Sequence, residues 1–182
     1  MNQPDTETVI AQTKKWITTV VIDCNFCPFA AKEQKRGSIH YQVLTAATKA
    51  TVLTAMMEVM IQLDTDATIA TSLLILPDSF GSFQAYLQLI DIAETLSIKE
   101  GYEGIYQIAS FHPDYLFAGS TADDAANYTN RSPYPMLHFL REDSVSMAVD
   151  SYPGIEKVPE RNIAYTRQKG LLYMQELLKQ CM

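Results

Sequence analysis

The chain has 182 residues, of which 47% are hydrophobic and 19% are charged, and its formal net charge is −7. This length is sufficient for one domain with its own core, so we expect a single domain over residues 1–182. An acidic chain without a run of roughly 18 apolar residues is expected neither to bind nucleic acid nonspecifically nor to span a membrane. We expect a small-molecule or protein partner, and the composition indicates neither a cofactor nor an oligomeric state.

The start of the chain, MNQPDTETV, has neither the basic residues nor the apolar stretch of a secretory signal. This predicts a cytoplasmic location. The three cysteines, Cys24, Cys27 and Cys181, are too few and odd in number for a disulfide framework. In a reducing compartment we therefore expect free thiols.

Hydrophobic periodicity predicts a first helix and then an alternation of strands and helices. The run Leu73–Leu76 is apolar throughout, which is typical of a strand covered on both faces and predicts the centre of a sheet. In the other predicted strands, apolar residues alternate with polar ones. In the predicted helices, apolar residues recur every three or four positions. The predicted helices cover residues 6–21, 52–63, 83 to about 101, 133–148 and a segment from about 160; the predicted strands cover 39–44, 71–76 and 105–111.

The order strand, helix, strand, helix, strand indicates the fold class. A helical crossover normally returns the chain parallel to the strand that it left. We therefore expect a single α/β domain with a small, mostly parallel three-stranded sheet covered by about five helices. The alternative is an α+β fold with a mixed sheet.

The stretch NYTNRSPYPMLH, residues 127–138, follows about twenty residues without a sustained pattern. Ser132 before Pro133 is typical of a helix N-cap followed by proline at the first helical position. A helix start beside Arg131 predicts a pocket for an anion, and one helical face would then carry His138, Arg141 and Glu142. Alternatively, Arg131 pairs with Asp123 or Asp124 and His138 completes a core face.

The stretch FHPDY, residues 111–115, follows the third predicted strand. His112 and Asp114 would emerge at the carboxyl end of that strand, where open parallel sheets bind ligands. A histidine beside a carboxylate is suited to general acid or base chemistry. The alternative is that both residues only shape a turn.

The stretch DCNFCPFA, residues 23–30, contains Cys24 and Cys27 at redox spacing. A thioredoxin-like pair sits at the start of a helix, whereas this pair follows a helix, which argues against redox chemistry. No further cysteines and histidines cluster with zinc-ligand spacing, so we expect no metal site. The alternative to a reactive Cys27 is that both thiols are simply buried.

These stretches also carry a resemblance to a known family. The shared motifs are NFCPFA at residues 25–30, QIASFHPDY at 107–115, FAG at 117–119, and the run from Asn127 through His138 that continues to Leu140, Arg141 and Glu142. Together they resemble the bacterial family known as domain of unknown function 1415, over nearly the whole chain. The resemblance implies no roles, and Cys24 lies outside the family's pattern. It marks as motif positions Cys27, His112, Asp114, Asn130, Arg131, Ser132, His138 and Arg141.

Two functional hypotheses follow from the sequence. The first is a small cytoplasmic enzyme, a hydrolase or group transferase, that acts on an anionic small molecule. Cys27 would be its nucleophile, His112 its acid or base oriented by Asp114, and Arg131 with Ser132 would hold the anion. The second is a non-catalytic module that binds an anion or metabolite in the same pocket, with cysteine and histidine in packing roles.

Overall fold

The computed structural model describes residues 4–182, which form seven α-helices and one four-stranded sheet. The strands are β1 (Ile39–Val43), β2 (Thr71–Ile75), β3 (Tyr106–Phe111) and β4 (Met136–Arg141). The helices are α1 (Thr6–Trp16), α2 (Ala30–Arg36), α3 (Lys49–Thr65), α4 (Phe83–Lys99), α5 (Glu142–Ser151), α6 (Val158–Lys169) and α7 (Leu171–Lys179). A π-helical segment, Ile17–Ile22, continues α1, and short 3-10 turns lie at Ala125–Thr129 and Ile155–Lys157.

The sheet has the strand order β1-β2-β4-β3. Strand β1 runs parallel to β2, whereas β4 runs antiparallel to both of its neighbours, β2 and β3. The expected mostly parallel three-stranded sheet under about five helices is therefore wrong, and the α+β alternative with a mixed sheet fits. The three predicted strands are present, and the fourth strand is inserted between the second and the third.

Strand β4 occupies part of the segment for which we expected a helix, residues 133–148. Its residues pair with β2 on one side and with β3 on the other, for example His138 with Leu73 and with Ala109. Both edges of the strand are thus hydrogen-bonded, and a local helix would leave β2 and β3 without this partner. The helix begins only at Glu142.

The side chains at the starts of three helices explain why those helices begin where they do. Asp5 accepts a hydrogen bond from the amide of Thr8 at 2.7 Å, which caps α1. Thr48 forms a capping box at the start of α3, and Ser82 caps α4. These caps satisfy amide groups that have no partner within the helix.

The sheet separates two apolar layers, because successive side chains of a strand point to opposite faces. Leu74, Leu137 and Phe139 pack on one face with α3 and α4. Ile75 and Met136 pack on the other face with α1, its π-helical continuation and α7. Within residues 4–182, no helix is both long enough and apolar enough to cross a membrane.

Candidate functional site

The long connection between β3 and β4, residues 112–135, contains most of the motif residues and is tied together by buried amides. The side chain of Asn127 is fully buried; its oxygen accepts from the amide of Phe117 at 3.1 Å, and its nitrogen donates to the carbonyl of Thr121 at 2.8 Å. Asn130 donates to the carbonyl of Ser110 at 3.3 Å. Buried groups that are paired in this way fix the path of the backbone.

His112 is fully buried, and the backbone occupies both of its ring nitrogens. Nε2 lies 3.0 Å from the carbonyl oxygen of Phe80, which can only accept, so Nε2 carries the proton. Nδ1 then accepts a hydrogen bond from the backbone amide of Asp114 at 2.9 Å. Burial lowers the pKa of His112, which favours this neutral form.

The contact between Asp114 and His112 therefore differs from the one we expected. The hydrogen bond comes from the backbone of Asp114, whereas its side chain is exposed. A turn of this kind was the alternative interpretation of FHPDY. Protonation of the ring would cost the bond that Nδ1 accepts, so this environment opposes the use of His112 as a base.

Aromatic side chains enclose His112 and connect it to the sheet. The rings of Phe83 and Tyr86 lie 5.2 and 5.0 Å from the histidine ring between centroids. The Tyr86 hydroxyl donates to the carbonyl of Met136 at 2.6 Å and accepts from the amide of Phe111 at 3.1 Å. Burial raises the pKa of Tyr86, so its proton stays in place. Tyr86 lies on the apolar face of a predicted helix, and the signal that points to its role is that a buried tyrosine requires a partner for its hydroxyl.

Phe80 adopts a backbone conformation that is unfavourable for a bulky residue. Its φ is +58°, in the left-handed region. The hydrogen bond from His112 to its carbonyl helps to hold this conformation. His112 thus joins the connection before α4 to the connection after β3.

Arg131 is held at three points within the connection. Its Nε donates to the carbonyl of Tyr115 at 3.2 Å, and one terminal nitrogen donates to the carbonyl of Ala122 at 3.1 Å. The guanidinium carbon lies 4.6 Å from the ring centroid of Tyr128. The carbonyl of Arg131 itself accepts from the indole of Trp16 at 3.0 Å, which fixes the backbone.

No ion pair among residues 4–182 includes Arg131. The alternative interpretation, in which Arg131 pairs with Asp123 or Asp124, is wrong for the described residues, because neither carboxylate pairs with Arg131 and Asp124 pairs with Arg167 of α6 at 2.7 Å. The guanidinium of Arg167 and the amide of Ala126 hold the pKa of Asp124 well below its usual range. The charge of Arg131 therefore has no carboxylate partner in the described part of the chain.

Ser132 and the residues of β4 do not form the helical face that we expected. Ser132 is fully buried, and its hydroxyl donates to the carbonyl of Tyr134 at 2.6 Å instead of capping a helix. His138 and Arg141 are three positions apart on a strand, so their side chains leave opposite faces of the sheet. The predicted cluster of Ser132, His138 and Arg141 around a helix start is therefore wrong.

His138 and Arg141 each have a structural partner. Nε2 of His138 lies 2.6 Å from the hydroxyl of Thr71, which itself donates to the carbonyl of Phe139, so His138 is the donor. Burial lowers the pKa of His138 to about 4. Arg141 donates to the carbonyls of Asp66 at 3.2 Å and Ile69 at 3.0 Å, at the carboxyl end of α3.

Cys27 lies in the turn between the π-helical segment and α2, and its side chain is half-buried. Asn162 of α6 holds this turn through the carbonyl of Phe26 at 2.8 Å. No hydrogen bond or ion pair between residues 4 and 182 joins Cys27 to His112 or Arg131. All three cysteines are free thiols, as predicted. Burial raises the pKa of the other two, Cys24 and Cys181.

Two depressions lie beside the connection. One, of about 390 Å³, includes Asp124 and Arg167, whose charges already pair with each other. The other, of about 280 Å³, lies between the connection and α7, and we call it the Tyr128 groove. Its lining residues are Pro113, Tyr128, Ser132, Pro133, Gln175, Leu178, Lys179 and Met182. Residues 4–182 contain no group of three or more histidine, cysteine or acidic side chains placed to hold a metal ion.

A family model described as "Protein of unknown function (DUF1415)" matches residues 8–176. The chain belongs to this family. No curated protein and no solved structure matches this chain. The DUF1415 match includes the whole connection, with Tyr128 and Arg131. Two residues of the groove, Lys179 and Met182, lie after the last matched residue.

Proposed function

We propose that this DUF1415 protein is a non-catalytic binding protein for a small anionic molecule, with Arg131 as the contact to the anion. The observation that carries the proposal is the fixed and unpaired guanidinium. Tyr115, Ala122 and Tyr128 hold it in place, yet no carboxylate among residues 4–182 neutralises it. In a chain with a net charge of −7, an arginine without an acidic partner is chemically suited to an external anion.

The geometry of Arg131 also favours binding on energetic grounds. Two of its N–H groups donate to carbonyls, which leaves others for a ligand. An arginine can donate two parallel hydrogen bonds to a carboxylate or phosphate. Because the side chain is already ordered, binding costs less conformational entropy than it would for a free arginine.

The binding function is favoured over the hydrolase or transferase hypothesis for two reasons. Both ring nitrogens of His112 are engaged with the backbone, so the ring lacks a free lone pair for a substrate proton. No contact among residues 4–182 connects Cys27 to His112 or Arg131. A nucleophile and its base normally lie within hydrogen-bonding reach of each other.

The experiment measures binding of inorganic phosphate by isothermal titration at constant ionic strength. Arg131→Gln removes the charge, and Arg167→Gln is the matched control because Arg167 already pairs with Asp124. We expect saturable binding by the parent and by Arg167→Gln, and affinity at least about tenfold weaker in Arg131→Gln, as for loss of a charged hydrogen bond. A parent that does not saturate, or an equal loss in both variants, would refute the proposal.

A further inference from the structure

Strand β1 forms one edge of the sheet, and part of its backbone points outward. The amide of Leu44, the residue after β1, donates to the carbonyl of Ile75 in β2 at 2.9 Å. Along a strand, successive residues direct their N–H and C=O groups to opposite sides. The backbone groups of Ile39, Tyr41 and Val43 therefore point away from β2, toward the open side of β1.

These outward groups are available to another strand. Within residues 4–182, no hydrogen bond occupies the amides or carbonyls of Ile39, Tyr41 and Val43. Natural edge strands commonly carry lysine, proline or a bulge, which prevent a further strand from pairing. The sequence of β1, IHYQV, contains no lysine and no proline, and its register with β2 is uninterrupted. The edge can therefore accept an extended segment.

The side chains along this edge favour a partner with apolar residues on one face. Ile39, Tyr41 and Val43 pack with the layer formed by α1 and its π-helical continuation. All three are only half-buried, so a strand beside them would cover more of their apolar surface. Pairs of β-branched or aromatic residues across neighbouring strands stabilise a sheet.

Basic residues lie beside the same edge. Nζ of Lys14 in α1 lies 5.2 Å from the ring centroid of Tyr41. Gln34 of α2 accepts from the Tyr41 hydroxyl at 3.1 Å, and Lys35 follows it in α2. Both lysines are exposed and take part in no ion pair within residues 4–182, whereas Glu33 already pairs with two neighbouring cations. In a chain with a net charge of −7, this edge is therefore suited to an acidic partner.

We propose that the β1 edge binds an extended acidic segment of a partner protein, which pairs with Ile39–Val43 as a fifth strand. The backbone supplies the hydrogen bonds, and Lys14 and Lys35 select for carboxylates. A second copy of this chain fits less well, because antiparallel pairing about Tyr41 would bring the two Lys14 side chains together. The surface is separate from the proposed anion contact, because the connection with Arg131 follows β3 at the opposite edge of the sheet.

The test measures binding of labelled peptides to the full chain by fluorescence anisotropy. The probe is a capped peptide of alternating glutamate and valine that is long enough to span β1. One control has lysine at every glutamate position, and a second has N-methyl groups on two adjacent central residues. One of two adjacent residues always faces β1, so the second control loses a hydrogen bond and keeps every charge. We expect the probe to bind at least about tenfold more tightly than either control.

Variants of the protein test the basic residues. Lys14→Gln and Lys35→Gln should each weaken binding of the probe about threefold or more. Lys99→Gln, at the end of α4, removes a lysine elsewhere and should leave binding unchanged. Arg131→Gln should also leave it unchanged, which separates this surface from the proposed function.

Residue-specific hydrogen exchange, measured by NMR, locates the bound peptide. The outward amides of Ile39, Tyr41 and Val43 should exchange more slowly when the probe is bound. The amides of His40 and Gln42 face β2, so their exchange should change much less.

Three results would overturn the proposal. The first is that the probe does not saturate the protein or binds no more tightly than a control, and the second is that protection appears only outside β1. The third is a dimer whose outward amides are already protected without peptide, since a second copy would then occupy the edge. None of these results changes the proposed function, which depends on Arg131.

Discussion

His112 connects two loops, because its Nε2 donates to Phe80 in the loop before α4 while its Nδ1 accepts from Asp114 in its own loop. If this is its role, His112→Leu should leave the carbonyl of Phe80 and the amide of Asp114 without their partner. We expect a loss of about 2 to 6 kcal/mol in the free energy of unfolding, measured with urea, since each of the two groups that loses its partner costs roughly 1 to 3 kcal/mol.

Asp114→Asn provides the matched control for His112. Its side chain is exposed and its backbone amide remains, so unfolding should change by less than about 0.5 kcal/mol. If Asp114→Asn destabilised the protein as strongly as His112→Leu, the carboxylate would be the required partner. The catalytic orientation expected from the sequence would then regain support.

The pH dependence of stability follows from histidines that are held neutral. Burial lowers the pKa of His40 and His112, and that of His138 to about 4, whereas an unfolded histidine titrates near about 6.5. Below about pH 6.5 the unfolded chain binds protons that the folded chain does not bind. Stability should therefore be fully present above that pH and fall as pH decreases toward about 4.

The contribution of His138 to this slope can be isolated. Urea unfolding at about pH 7.5, 6, 5 and 4.5 should show a steeper fall for the parent than for His138→Gln, with about 1.4 kcal/mol for each unit of pKa difference. His138→Gln can still donate toward Thr71 but cannot be protonated in this range. Parallel pH profiles for the two proteins would show that His138 is not held neutral.

The thiols should differ in reactivity because they differ in exposure. Cys27 is half-buried, whereas Cys24 and Cys181 are buried with raised pKa values. We expect iodoacetamide at about pH 7 to label Cys27 first, as mass spectrometry of peptides would show. Cys27→Ser should nevertheless bind phosphate as the parent does. Loss of phosphate binding in that variant would return Cys27 to the site.

At the scale of elements, Arg141 connects β4 to the carboxyl end of α3. It donates to carbonyls that have no partner within the helix, including those of Leu63 and Asp66. Arg141→Met keeps the apolar stem but removes these bonds, so we expect a loss of about 1 to 3 kcal/mol in unfolding free energy. Hydrogen exchange should increase at the end of α3.

The control for Arg141 is Arg36→Met in α2. Arg36 is exposed, and its ion pair with Glu33 lies at the surface, so its replacement should change stability by about 0.5 kcal/mol or less. Equal effects of the two substitutions would mean that the carbonyl contacts of Arg141 add nothing to the general effect of losing a charge.

The elements that the sequence predicted well are those with long or regular patterns. The helices α1, α3 and α4 and the strands β1, β2 and β3 lie close to their predicted positions. Strand β4 was missed because Ser132 and Pro133 imitate a helix start, and MLHFL is too apolar to show alternation. The two apolar layers cover β4 on both faces, so periodicity does not distinguish this strand from a short helix.

At the scale of the whole molecule, the candidate site around Arg131 depends on contacts with the backbone. Such contacts cannot be predicted from the types of the residues involved. Arg131 stands out in the sequence as a motif position, but its partners are backbone carbonyls, and any residue supplies a carbonyl. Arg167 takes the acidic partner because α6 packs against the 3-10 turn at Ala125–Thr129. The sequence is therefore sufficient to select Arg131 as a candidate. Its hydrogen-bond partners, however, follow only from the fold.

We propose that the fold fixes Arg131 and leaves its charge for an external anion. The most direct test of this proposal is the ratio of phosphate dissociation constants for Arg131→Gln and Arg167→Gln, each measured below its own melting temperature by isothermal titration. Both substitutions remove one positive charge from the same region. The effect of net charge on the phosphate dissociation constant therefore cancels in the ratio. We expect a ratio of about ten or more, with Arg167→Gln close to the parent. A ratio near one would contradict it.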